Sequence, residues 1–316
     1  MTIERNLVLV HTPGYQDVED FQEIGRAVEE IAPDIEVFVA SNGIPSSATR
    51  RRASKRPTLI FSPGNLLSFH PLRGKIYEGS PIPKLEQIAR FKAARLPVPP
   101  SAEITPGVVL SEAEFGSHVV VKPGFSEASR GRFITLMRRE AVRFQPRESF
   151  PQDDPGRYGP MYAQRFIDTG TFVNHHRVLT LFGVPLLAFK TTATTARPSL
   201  DSPDHVLAAM TVKARRRDGP IERELTSDAD ILKLAARAYS ALPEIALHGV
   251  DIIREAGSGK LYVLEANPGG NTWIFSKGDM TTRLQAALGL KRLTDQFDAF
   301  RTAAKVLIER TRAEAG

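Results

Sequence analysis

The apolar positions of the chain follow two different periods. Residues 6–12 (Asn-Leu-Val-Leu-Val-His-Thr), 35–40 and 58–62 are short, nearly continuous apolar runs, the pattern of strands buried on both faces. Between the first two, Val18, Phe21, Ile24, Val28 and Ile31 recur at helical spacing, so residues 17–31 read as a helix. A basic, Ser-rich linker precedes the third strand, which ends in Pro63-Gly64-Asn65. This alternation predicts a small parallel α/β unit over about residues 1–80. It lacks a Gly-x-Gly-x-x-Gly after its first strand, which excludes a dinucleotide fingerprint there.

The pattern changes after Pro81-Ile82-Pro83. Residues 84–95 read as a helix closed by Leu96-Pro97-Val98-Pro99-Pro100. Strands follow at 102–104, 117–122, 132–137, 161–167, 177–182 and 186–191, with a small helix near 111–115 and a polar loop at 145–160. The last two strands form a hairpin about Gly183-Val184-Pro185, and residues 192–224 show no strong period. Ile231, Leu234, Ala235, Ala238 and Leu242 stripe a helix that Thr226 or Ser227 would cap. It leads to a hairpin at 249–270, and helices at about 280–288 and 291–313 end the chain.

Candidate chemistry is densest in that hairpin. Val250–Ile253 and Leu261–Leu264 flank Gly257-Ser258-Gly259, and centring the turn on Ser258 places Asp251 opposite Glu265. Alternation along the strand puts Asn267 on the same face as Glu265. Facing carboxylates destabilise a sheet unless something positive lies between them. Two carboxylates and an amide oxygen, with no thiolate, suit Mg²⁺ or Mn²⁺. The Pro268-Gly269-Gly270 that follows permits close approach of a ligand.

Composition narrows the rest. A chain of 316 residues, 41% hydrophobic and 25% charged, suits two or three globular units. It has no cysteine, so disulfides, thiolate metal sites and cysteine nucleophiles are excluded. No signal peptide or membrane span is apparent, so a cytoplasmic location is expected. The net charge of +6 suits an anionic ligand such as a nucleotide. The clusters Arg50-Arg51-Arg52 with Lys55 and Arg56, and Lys213 with Arg215-Arg216-Arg217, lack interleaved aromatics. They read as solvated loops, and nucleic acid is not an expected partner.

In order along the chain, these residues resemble the ATP-grasp superfamily. Lys84 starts a helix, and Lys122 ends a strand before a small-residue loop that runs to Gly131. A Gln-x-Phe-Ile strand follows at 164–167, then Arg-Val-Leu-x-Leu-x-Gly at 177–183, Lys190, and finally Asp251, Glu265 and Asn267. The resemblance spans about residues 75–275, with the last motif the most specific. It implies an N-terminal α/β domain at 1–83 and two α+β lobes, at 84–164 and 165–316, that sandwich ATP. Lys84 and Lys122 would hold the phosphates. Ser126, Ser129 and Gly131 would belong to a lid, with Glu127 and Arg130 where glycine is usual. Gln164, Arg165, Phe166, Ile167 and Asp168 would bind adenine and its surroundings. Asp251, Glu265 and Asn267 would hold one or two Mg²⁺ or Mn²⁺ ions, while Arg177 and Lys190 would neutralise the transferred phosphoryl group. The acid usually found shortly after the hinge is replaced by His175, so Asp168 or Thr171 is the candidate ribose contact.

The activity implied is a carboxylate–amine ligase acting through an acyl phosphate. It would use small-molecule carboxylate and amine substrates, ATP and Mg²⁺, with a homodimer as the candidate assembly. The same nucleotide site would also serve a kinase acting on a hydroxyl, or a nucleotide-binding protein without turnover.

Overall fold

A computed structural model of the chain describes residues 2–44, 46–125, 133–210, 212–214, 219–269 and 272–316. Three sheets organise it. The first is parallel, in the order β2-β1-β3-β4, from β1 (Arg5–His11), β2 (Ile35–Ser41), β3 (Thr58–Ser62) and β4 (Lys75–Glu78). The continuous apolar runs arise because adjacent residues enter different cores. Leu7 and Leu9 face one layer with helix α1 (Val18–Ile31), while Val8 and Val10 face Phe38, Ala53 and Phe69 on the other. The linker expected at 42–57 holds a helix, α2 (Ser47–Ala53), whose N-terminus is capped by Ser46 and whose Ala53 is buried. A basic surface face hides that helix from periodicity. The edge strand β4 was likewise not legible, being short and polar.

The second sheet, β5-β8-β6-β7, is antiparallel and uses β5 (Ser101–Glu103), β6 (His118–Pro123), β7 (Thr135–Arg138) and β8 (Met161–Arg165). Helix α3 (Lys84–Ala93) precedes it, and α4 (Glu112–Phe115) inserts Phe115 into its outer core. The third sheet, β11-β10-β9-β12-β13, is also antiparallel. Its strands are β9 (Asn174–Leu181), β10 (Val184–Ala193), β11 (Ile221–Leu225), β12 (Leu247–Arg254) and β13 (Leu261–Pro268). Helix α5 (Asp204–Ala208) and β11 lie in the stretch without a period. Helix α6 (Ala229–Ala238) covers Val178, Ala188, Val250 and Ile252, and its cap is Asp228 rather than Thr226 or Ser227.

The other face of this sheet meets the N-terminal unit through one shared core. Leu179, Leu181 and Leu187 join Leu7, Leu9 and Phe21 around helix α8 (Ala299–Glu314). Ala303 and Ala304 present a small-residue face, and Gly316 exchanges backbone hydrogen bonds with Thr58 at 3.1 and 3.3 Å. The N-terminal unit and the C-terminal lobe, separated in sequence by residues 84–164, thus share one core. Helix α7 (Asp279–Leu288) follows a loop whose Trp273 and Ser276 donate to Asp20 at 2.9 and 2.6 Å, which moors that loop to α1.

Three histidines are buried in the third sheet. His248 is fully buried opposite Thr180, with neither ring nitrogen hydrogen-bonded, and its pKa is pushed down to about 4 by desolvation. His176 is likewise pushed to about 4, by burial and then by Lys190, and His175 is held well below its ordinary value by burial, Lys213 and Arg177. A histidine whose folded pKa is depressed binds fewer protons folded than unfolded, so its contribution is complete above about pH 6.5 and is lost on acidification. We expect stability to fall as pH drops from about 6.5 toward 4, by about 1 kcal/mol per pH unit for each of His176 and His248. Urea melts across this range check it, and His248→Phe removes one histidine's share. Stability that rises on acidification contradicts the account.

Candidate active site

The hairpin of β12 and β13 places its acids face to face. Asp251 pairs with Glu265 and Gly249 with Asn267, and on the other side Asp251 pairs with Arg177 of β9. Nearest the turn the register differs by one residue: Arg254 faces Leu261, a register that if continued would set Asp251 against Leu264. A bulge after Asp251 restores the facing pair.

The positive charge expected between the acids comes from the protein itself. Asp251 has no exposed surface. Its carboxylate takes both Nε and Nη2 of Arg177, the latter at 2.9 Å, and also the Lys213 ammonium. Lys213 reaches Glu265 at 3.4 Å, and Lys84 pairs with the other Glu265 oxygen at 2.8 Å. Burial pushes the Glu265 pKa up, but the ammoniums of Lys84 and Lys213 outweigh it and hold it well below the usual range. Three cations thus compensate two acids, and the bare repulsion expected from the sequence does not occur. Asn267 donates to the Gly249 carbonyl at 3.2 Å and to Glu265 at 3.3 Å. Gly249 gives the guanidinium room to cross β12: a Cβ there would lie 3.0 Å from Arg177 Nη1 and 3.2 Å from Thr272 Cγ2.

Each element delivers its residue by simple geometry. Lys84 is the first residue of α3, whose start is tied to the end of β6 by a 2.8 Å hydrogen bond from the Lys84 N–H to the Gly124 carbonyl. Gln87, one turn on, accepts from the Ala266 N–H at 3.1 Å and locks α3 to β13. Lys122 donates to the buried Gln164 of β8 at 2.7 Å, so this lysine and the hinge strand share the inner face of the second sheet. Arg165 pairs with Glu255 at 3.2 Å, Phe166 donates its N–H to His118, and Ile167 is buried against Ile253 and Tyr262. Asp168 turns the chain by accepting from Gly170 and pairs with Arg197 at 2.7 Å.

Lys190 is not brought to this site. It faces His176, and adjacent strand residues point to opposite faces, so it lies across the sheet from Arg177 and pairs with Glu224 at 3.2 Å. Ser126, Ser129 and Gly131 lie outside the described residues. Three contributors were missed from the sequence: Lys213, Arg197 and Glu255. Lys213 stood in a basic cluster that read as a solvated loop, and no periodicity marks it.

No protein-family model matches the chain, and no curated protein matches it. Among solved structures, it is similar over 97% of its length to all of the ATP-grasp ligase PsnB in complex with a minimal precursor, at 15% identity and a TM-score of 0.50. It is equally similar to PsnB bound to a phosphomimetic variant of that precursor, Mg and ADP, at 16% identity, with 98% of this chain and 100% of that one covered. A D-alanine–D-alanine ligase from Bacillus anthracis is 14% identical over 98% of each chain, with a TM-score of 0.48. The chain has the ATP-grasp fold: a parallel N-terminal sheet and two antiparallel, helix-backed lobes.

The carboxylate oxygens of Asp251 and Glu265 converge at Lys213, while Asn267 presents its amide nitrogen to Glu265. Among the described residues no group of three or more acids and histidines could hold a metal.

Removing the Asp251 charge leaves Arg177 and Lys213 uncompensated against a buried site. Asp251→Asn is expected to cost about 3–5 kcal/mol of stability in denaturant melts. A loss under about 1 kcal/mol would show that the ion cluster is not what holds β9 and β12 together.

Proposed function

We propose that the protein is a Mg²⁺- and ATP-dependent ligase that activates a substrate carboxylate as an acyl phosphate and joins it to an amine. The observation that carries this reading is the convergence of Asp251, Glu265 and Asn267 with Arg177, Lys84 and Lys213 on one face, beside the strand end that bears Lys122. Lys84 and Lys122 bind the phosphates as point charges. The backbone of residues 164–167 binds the base. Asp251, Glu265 and Asn267 would hold Mg²⁺, which would supply Lewis-acid withdrawal of phosphate charge. Asp168 is the candidate ribose contact, in place of the acid that His175 displaces.

Arg177 and Lys213 act on the reacting atoms. A substrate carboxylate oxygen attacks the γ-phosphorus and ADP leaves. The amine then attacks the acyl carbon, phosphate leaves and the amine proton passes to solvent. Both steps concentrate negative charge beside the acids, where fixed cations stabilise it most. The Arg177 Nη1 group, not used by Asp251, lies over Gly249 and faces the loop that begins at Gly269. Lys213 replaces Lys190 in this role. PsnB, which shares the fold, has been seen with Mg and ADP, which supports the nucleotide and the ion.

The direct test is an ATP-turnover screen over pools of carboxylic and amino acids, with hydroxylamine added. A hydroxamate, together with ADP and phosphate, is the expected product. A stable phosphorylated alcohol would establish a kinase instead. A second test separates the two lysines: Lys213→Met is expected to lower kcat by about 10²–10³-fold, whereas Lys190→Met should change it by less than about threefold. Equal losses in both variants contradict the assignment.

A further inference from the structure

The central lobe carries a second cavity, of about 590 Å³, on the outer face of its sheet. Val121, Thr135, Met137 and Met161 form its floor. Val121 pairs with Thr135 and Pro123 with Met161, so the register sets these residues on one face. Lys122 and Gln164 occupy the opposite face, so the cavity is separate from the candidate active site and does not rest on the function proposed for it. Its size is that of a small-molecule site.

The walls are aromatic. Phe133, Phe144 and Phe150 line it, and Phe144 keeps 41% of its surface exposed. The Phe133 backbone stands at φ 59, a left-handed conformation costly for a bulky side chain. Such strain persists where the surroundings impose it, and it marks candidate ligand sites. At the mouth stand Arg143 and Arg147, both exposed. Arg143 donates to the carbonyls of Glu140 and Val142, at 2.5 and 2.8 Å. Among the described residues neither arginine meets a carboxylate, whereas Arg138, Arg139 and Arg165 of the same lobe all do. Of the two acids at the rim, Asp154 is engaged by the Gly156 N–H at 2.7 Å and Glu103 is exposed.

An apolar slot with aromatic walls, a methionine floor and, at its mouth, guanidiniums that meet no carboxylate among the described residues is complementary to a flat apolar body with one anionic end. Rings stack offset or edge-on against phenylalanine, and thioethers adapt to ring edges. A guanidinium binds carboxylate through two parallel hydrogen bonds. We propose that this cavity is a binding site for a small aromatic carboxylate, with its ring among Phe133, Phe144 and Phe150 and its carboxylate on Arg143 and Arg147.

The probe is naphthalene-2-carboxylate, titrated calorimetrically into the full chain, with 2-naphthylmethanol as the uncharged control. Saturable binding at one site is expected, unchanged by saturating Mg-ADP. The double variant Arg143→Glu/Arg147→Glu, altered only at exposed positions, should weaken the carboxylate by at least about tenfold and leave the alcohol unchanged. Met161→Trp, which fills the floor, should abolish both, and Thr135→Phe serves the same purpose if the first variant folds poorly. The proposal is overturned if the wild type shows no saturable binding, if Mg-ADP competes for the probe, or if the charge-reversed and filled variants bind the carboxylate as the wild type does.

Discussion

A carboxylate with no exposed surface, placed in the middle of a five-stranded sheet, has to be compensated on the spot. Asp251 is that group, and the third sheet is arranged around its compensation. Arg177 reaches it from the neighbouring strand through two parallel N–H donors, a geometry that adds direction as well as charge. The guanidinium lies close across Gly249, where a side chain would crowd it. Lys213 and Lys84 extend the compensation to Glu265, and in doing so pull in a distant loop and the first helix of the central lobe. Ion pairs of this kind contribute little net stability while all partners are present, but losing one partner is expensive. Their use here is to hold two acids and three cations in one place at fixed separations.

The surrounding architecture keeps that place rigid on one side and adjustable on the other. The shared core around α8 fixes the third sheet to the N-terminal unit. The Trp273–Asp20 hydrogen bond and the mooring of Ser276 hold the loop that leaves Gly269. A Cβ at Gly79 would lie 2.5 Å from the Gly269 Cα, so the parallel sheet's edge comes directly against the loop that follows the acids. The central lobe meets Glu265 through Lys84, and Gln87 holds the neighbouring Ala266 N–H. A flexible ammonium can exchange a carboxylate for a phosphate without a change of fold, which the proposed function would require of Lys84 and Lys213.

Much of this was legible in the sequence, and strand register decided where it was not. The α/β unit and the hairpin of acids follow from periodicity and turn chemistry, and the ordered roles of lysine, hinge and acids from the family resemblance. The facing of Asp251 and Glu265 came out correctly, although the turn-proximal register would have separated them and a bulge reunites them. Lys190, named from the family resemblance, lies across the sheet from Arg177 because of a register shift in β10. Leu181 pairs with Val184 at the β9/β10 turn, and that register continued would bring Lys190 opposite His175, on Arg177's face. A bulge between Pro185 and Leu187 shifts the strand by one residue and sends Lys190 to the other side. Lys213 was illegible because its role depends on a loop folding back across 38 residues of sequence onto Asp251. Helix α2 and strand β4 escaped because exposed, polar faces dilute the apolar period.

The central claim is that the acids are neutralised internally until a nucleotide brings the metal. Titration of the protein with Mn²⁺, followed by electron paramagnetic resonance with and without ADP, tests it most directly. The account predicts weak or no site-specific Mn²⁺ binding to the protein alone, tight binding when ADP is present, and loss of that tight binding in Glu265→Gln. Tight Mn²⁺ binding without nucleotide, or nucleotide-dependent binding that survives in Glu265→Gln, would contradict it.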